Sequence, residues 1–392
     1  MSVVGIESPP ATYDTVRSCP YHGGWVRLAD CPIVATNETF VTTMQAEMGQ
    51  QPPDIVIDLG GSGYSRFVPG KRLLSHIDGR ERLIVAAPPQ RKTPDKPRRF
   101  IRSTSPQLEP PANLAAPFGG QRLRPVRACP DPMCQHPFPL NIDLRDPISV
   151  AIVGNSGASK TTTVAALMRE LGRFGPAALG VESFAPTEST SREIREAVKL
   201  MNAGDSVGGT HGGMFHAPLE FSTELQGNLP VTVMVHDVAG EDLMDEEKRL
   251  LHASHVLWAD VVLFVYNPEE SPALAIVESS ADQSAVLTGV FNDLESDPPT
   301  NLDGSPRWPG LVVAVSKADL LRSPPDLSNG PAPDEDVVQA LFDLQEGSLV
   351  HAAKRWGTDV RWRFIAPQPK VGESQGVVEL FKQVIDIAVS WP

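Results

Sequence analysis

Nowhere in the 392 residues does an apolar run approach the roughly 18 residues that a membrane helix needs. The opening stretch MSVVGIESPPATYD has neither a basic segment nor an apolar core, so no secretory signal is expected. Cysteine is scarce, at 4 residues. Without a signal, these four point to a reduced, cytoplasmic setting, where they serve as free thiols or metal ligands rather than disulfides. Aromatic residues make up only 6%, and none is interleaved with basic residues as in a nucleic-acid stacking platform. Positive charge is also short: the net balance is −14, which argues against a nucleic-acid coat protein. Neither a membrane nor a nucleic acid is therefore expected as a partner. What is present is 41% hydrophobic residue, enough for a real core, which excludes a wholly disordered chain. The 38 prolines and 31 glycines are many for a compact domain and predict substantial loop.

Length alone suggests two or three domains. The charge is unevenly placed. Residues 71–127 hold 13 Lys/Arg against 4 Asp/Glu, a local balance of +9 that leaves −23 for the remainder. This basic stretch, broken by proline as in PPQRKTPDKPRRF, reads as a loop insertion within an N-terminal region spanning 1–145. Within that region DIVIDL (54–59) and RLIVAA (82–87) read as short strands. From 146 to 392 the pattern is regular. ISVAIVG (148–154), DVVLFVY (260–266), GLVVAVS (310–316) and DVRWRFIA (359–366) are strand runs separated by helical stretches. PLEFSTEL and VTVMVHDV (231–238) read as an antiparallel pair. EEKRLLHASHVLWA and DEDVVQALFDLQEGSLVHAAKRW each read as one helix. This alternation predicts an α/β fold, doubly wound on a mainly parallel sheet. An irregular or zinc-ribbon-like N-terminal region would precede it.

The chemistry centres on Gly154-Asn155-Ser156-Gly157-Ala158-Ser159-Lys160-Thr161, between a strand and a helix. That context suits a phosphate-binding loop. Successive backbone N–H groups form an anion nest and the helix N-terminus adds partial positive charge. Lys160 would meet the β- and γ-phosphates and the Thr161 hydroxyl would coordinate Mg²⁺. Ser159 stands where the motif has a second glycine. Serine keeps the backbone N–H, and the nest is expected to survive if this residue avoids positive φ. Asp237-Val-Ala-Gly240 follows at a strand end. Asp237 can hold Mg²⁺ and Gly240 can offer its N–H to a γ-phosphate. Ser316-Lys317-Ala318-Asp319 closes another strand. An aspartate there accepts from guanine N1–H and N2–H₂, a donor pair that adenine lacks, while the Lys317 stem packs along the base.

Taken together and in order, these pieces resemble the GTPase domains of the translation-factor-related P-loop class. The phrase DVAGED (237–242), after a long loop, resembles the bacterial double-GTPase type. The resemblance implies a switch that binds GTP or GDP with Mg²⁺, a protein effector or regulator, and a homodimer. It would also place Thr162 at the α-phosphate, Ser316 where the base site usually has Asn or Thr, and Ala366 in a last base-contacting loop. The threonine of the first switch would be Thr210, with Thr187 and Thr190 as alternatives. Catalytic roles would fall to Lys160, Gly240 and Glu241. The last replaces the glutamine that usually orients the attacking water, and its charge predicts slow hydrolysis. Arg192 and Arg195 lie where a cis arginine would be useful, although SREIREAVK reads better as a solvated helix face. Two other functions remain open: an ATP-using P-loop enzyme, and a nucleotide-bound scaffold without turnover.

Cys129-Pro-Asp-Pro-Met-Cys134 lies just before the first regular strand, and Cys19-Pro-Tyr-His22 far upstream. Tetrahedral Zn²⁺ takes four Cys/His ligands, usually from two short knuckles. Cys19, His22, Cys129 and Cys134 can supply them, with Cys31 as a substitute for His22. Buried thiols are the alternative. His211, His216 and His236 show no ligand spacing, and His236 reads as a packed side chain.

Overall fold

A computed structural model describes residues 15–31, 33–36, 55–57, 67–69, 83–86, 124–127, 129–131, 134, 138–139, 142, 145–155, 157–186, 188–203, 205, 207, 218–225, 230–271, 273, 283–321, 323–327, 330–357, 360–367 and 374–390. The chain divides into two units. One spans 1–19 and 24–146; the other spans 147–392 together with 20–23. Among the described residues no helix is long and apolar enough to cross a membrane.

The first unit is built from short strands. β1 (Val16–Ser18) and β2 (Trp25–Arg27) form an antiparallel hairpin in which Ser18 faces Trp25. β3 (Ile33–Thr36) lies between two antiparallel neighbours, of which β6 (Leu83–Ala86) is one and β7 (Arg124–Arg127) the other. β4 (Ile55–Ile57) pairs antiparallel with β5 (Phe67–Pro69). DIVIDL and RLIVAA thus both carry strands, shorter than the apolar runs suggested. Apart from β6 and β7, the basic insertion lies outside the described residues. The Arg17 guanidinium donates to the Ile142 carbonyl (3.0 Å) and the Ser18 amide to Asp146 (3.1 Å), tying the hairpin to the end of the unit.

The second unit is α/β. Its strands are β8 (Ile148–Val153), β9 (Val181–Pro186), β10 (Leu219–Leu225), β11 (Pro230–Asp237), β12 (Val261–Tyr266), β13 (Gly310–Val315) and β14 (Arg361–Phe364). They form a seven-stranded sheet in the order β14-β13-β12-β8-β11-β10-β9. β8, β11, β12, β13 and β14 run parallel, whereas β10 is antiparallel to both its neighbours. The expected antiparallel pair of PLEFSTEL and VTVMVHDV is therefore present.

Every residue of β8, β12 and β13 is buried, as befits strands covered on both faces. The period of two divides them between two cores. Val150 and Ile152 pack with α1 (Lys160–Phe174) through Val164, Leu167 and Leu171, and with α8 (Val377–Ser390) through Leu380, Phe381 and Val384. α2 (Glu188–Ala203) joins that layer with Ile194 and Met201. Ala151 and Val153 face the opposite layer. It contains Val286, Leu287 and Val290 of α5 (Gln283–Ser296), Leu341 of α6 (Asp334–Asp343) and Leu349 of α7 (Gly347–Trp356).

Two expected single helices are broken. EEKRLLHASHVLWA divides into α4 (Glu246–His252), capped by Asp245, and a 3₁₀ turn at Ser254–Trp258. The long acidic-headed helix divides between α6 and α7. There the Glu346 amide reaches the Leu341 carbonyl, the Gln345 amide reaches Phe342, and Gln345 takes φ 63°. This is a left-handed helix terminator that usually carries glycine. Glutamine occupies it here, so composition did not mark the break.

Candidate functional site

The loop from Gly154 to Ser159 joins β8 to α1, and three of its described residues have positive φ. Gly154 sits at φ +146°, where an added Cβ would fall 2.3 Å from the Val265 carbonyl oxygen of β12. No side chain fits that space. Gly157 sits at φ +79°. Ser159 has φ 68° and ψ 26°, and its hydroxyl makes no cap bond to the helix. The condition that Ser159 avoid positive φ is thus not met. A left-handed residue followed by a helical one nevertheless points consecutive amides into one concavity. The consequence of the serine is strain rather than loss of that shape. Ser156 lies outside the described residues.

Lys160 opens α1 and is buried. Its ammonium donates to the Gly154 and Asn155 carbonyls, each at 2.9 Å. Burial pulls its pKa down, and the negative charges of Asp237 and Glu270 pull it partly back. The Thr161 hydroxyl donates to the Asp237 carboxylate at the end of β11. Thr162 is half-buried on the same turn. Gly240 begins α3 (Gly240–Met244) and is buried, whereas Glu241 beside it is exposed.

A polar group unforeseen in the sequence backs this loop. The Asn155 side chain donates to Glu270 (2.9 Å), and so does that of Asn267 (3.2 Å). Gln283 of α5 grips the Asn267 backbone, accepting from its amide (2.9 Å) and donating to its carbonyl (2.8 Å). The only sequence signal was the polar NPEES directly after the apolar run of β12.

At the end of β13, the buried Ser316 donates both its hydroxyl (2.7 Å) and its amide (2.9 Å) to the Tyr266 carbonyl of β12. Lys317 is left-handed at φ 50° and pairs with Glu269. Asp319 is half-buried in the following 3₁₀ turn, which the Ala318 amide ties to the Ile365 carbonyl (3.0 Å). The Ala366 amide is donated to the Gln375 carbonyl (3.0 Å), so it is turned to the chain rather than offered to a base.

For the first switch, Thr210 and Thr187 lie outside the described residues. Thr190 is buried, and its hydroxyl accepts from the Glu220 amide (2.8 Å), which joins α2 to β10. Arg195 is exposed on α2, as a solvated helix face requires. Arg192 lies on the same helix.

Apart from this loop, Cys19, His22, Cys129 and Cys134 bring their ligand atoms within 4.8 Å of one another, a set that could hold a metal ion. All three cysteines are buried. Burial pushes the Cys19 thiol up, and its neighbours Cys129 and Cys134 push it further. Cys31 stands outside the set; its thiol donates to the Arg27 carbonyl (3.4 Å).

No family model matches the chain. It is similar to the "Putative ESX-1 scaffolding and assembly protein SaeC" of Mycolicibacterium smegmatis. The two are 26% identical over 285 residues, which is 60% of this chain and 69% of that protein.

Proposed function

We propose that residues 147–392 form a Mg²⁺-dependent guanine-nucleotide switch with slow GTP hydrolysis. The observation that carries this reading is the meeting of three groups at the ends of two adjacent parallel strands. They are the left-handed turn before α1, the buried Lys160 ammonium, and the Thr161–Asp237 pair. Backbone amides of the loop would bind phosphate oxygens, and Lys160 would bring its charge to the β- and γ-phosphates. Thr161 and Asp237 offer hard oxygen donors already in contact, a set that fits Mg²⁺. When bound, the ion would neutralise phosphate charge.

The strand order also supports this reading. In open parallel sheets ligands sit beyond the carboxyl ends of the strands, where the chain winds in opposite directions. β8 is that point, between β11 and β12. Ser316 holds the end of β13 to that of β12, which would set Asp319 toward a guanine. Glu241 would stand near the γ-phosphate, whose negative charge its own would repel, which favours a slow switch.

A second reading, a nucleotide-bound scaffold without turnover, draws on the scaffolding and assembly role in the name of the M. smegmatis protein. The same experiment separates the readings. A fluorescent GTP analogue would be bound to the full chain with Mg²⁺ and displaced by GTP, GDP, ATP or ADP, with Lys160→Ala as control. Displacement by guanine nucleotides alone, with hydrolysis in single turnover, is expected. Equal displacement by ATP would turn the reading to an ATP-using enzyme. Binding without turnover would favour the scaffold. Full affinity in Lys160→Ala would refute the phosphate loop.

A further inference from the structure

We propose that Cys19, His22, Cys129 and Cys134 bind one structural zinc ion as a three-thiolate, one-imidazole site, and that Cys31 takes no part. The argument begins with distance. The Cys19 and Cys134 sulfurs lie 3.8 Å apart. A disulfide needs about 2.05 Å. Two thiolates on a tetrahedral ion with Zn–S near 2.3 Å are separated by about 3.8 Å. The pair is thus spaced as two ligands of one ion. The imidazole and the third thiol complete the set, with all four ligand atoms within 4.8 Å of one another.

The local structure prepares this cluster. Cys19 directly follows β1, and His22 lies in the turn before β2, so one hairpin presents both. The Cys19 amide donates to the Gly24 carbonyl (3.0 Å), closing that turn around the C-x₂-H spacing. On the second arm, the Cys134 amide donates to the Asp131 carbonyl (3.1 Å). Three thiols and an imidazole are a soft donor set, suited to zinc and poorly suited to Mg²⁺ or Ca²⁺. Four protein ligands fill a tetrahedral shell, so the ion would be structural rather than catalytic. The ion would join two arms that lie far apart along the chain.

The test is elemental analysis of the full chain, purified from zinc-replete culture without chelators. One zinc per chain is expected, unchanged in Cys31→Ser and lost in Cys129→Ser. Because Cys129→Ser could simply unfold, the wild-type chain supplies a second readout. Exchange of zinc for Co²⁺ should give the visible bands of a tetrahedral ion and a near-ultraviolet thiolate charge-transfer band. His22→Cys should keep one equivalent and strengthen that thiolate band. Loss of metal in Cys31→Ser, a Cys19–Cys134 disulfide in the purified protein, or folded protein that takes up neither Zn²⁺ nor Co²⁺ would each overturn the proposal.

Discussion

Ser159→Gly is expected to stabilise the protein. Ser159 is held at φ 68°, ψ 26°, between a loop anchored by Gly154 and a helix whose first turn it serves. Its carbonyl accepts from both the amide (2.8 Å) and the hydroxyl (2.7 Å) of Thr163, so the backbone has little freedom to relax. A residue with a Cβ in the left-handed region costs about 1–2 kcal/mol. Glycine removes that cost but loses more chain entropy on folding, about 0.5–1 kcal/mol. The net gain is about 0.5–1 kcal/mol. For a unit of this size, that raises the melting temperature by about 1–4 °C. Five of the six tryptophans follow residue 147, so intrinsic fluorescence during thermal or urea unfolding reports this unit. Ser159→Ala keeps the Cβ and should stay near wild type, while Ser159→Val should fall below it. A Ser159→Gly protein no more stable than Ser159→Ala would refute the strain argument. Nucleotide affinity should hold or improve in the glycine variant, since the amide is unchanged.

Gly154→Ala should act in the opposite sense. Its Cβ would lie 2.3 Å from the Val265 carbonyl oxygen, so β8 and β12 must part. A loss of about 2 kcal/mol or more, read as a lower urea midpoint, is expected. Lys160 predicts a pH dependence of binding. Burial lowers its pKa in the free protein, and bound phosphates would raise it, so at a pH between the two values binding takes up a proton. Affinity should therefore be full below the free-state pKa and fall as pH rises above it. Calorimetry in buffers of different ionisation enthalpy would detect the proton. Glu241→Gln removes a charge beside the expected γ-phosphate position. It should speed single-turnover hydrolysis roughly tenfold, the equivalent of about 1.4 kcal/mol of barrier. An unchanged rate would remove Glu241 from the chemistry.

Much of the second unit is legible in its sequence, because its signals are local. β8, β12 and β13 are continuous apolar runs, and each ends in the polar phrase that marks a turn. The neighbourhood of Lys160, Thr161 and Asp237 followed from motif order. The rest failed for physical reasons. Gln345 ends a helix in a conformation that its side chain does not advertise. β9 and α2 fall where the periodicity is weak. The Asn155–Glu270–Asn267 group depends on β12 lying beside β8, which spacing along the chain cannot show. The tolerance of serine at 159 turns on its backbone angle, φ 68°, which residue type alone does not reveal. In the first unit the strands are three or four residues long, too short for a periodic signal.

The two borders of the large sheet bear on how the molecule meets its neighbours. β14, RWRF, sets arginine at alternate positions along one border, with Arg361 exposed and Arg363 paired to Asp334 (2.6 Å). β9, VESFAP, carries the exposed Glu182 and ends in Pro186, which has no amide to donate. Charge and proline are the devices by which natural sheets refuse a foreign strand. A sheet guarded at both borders resists edge-to-edge growth into filaments. Any partner would then have to be met by loops and helix faces, whose contacts can be made and released without disturbing the ladder.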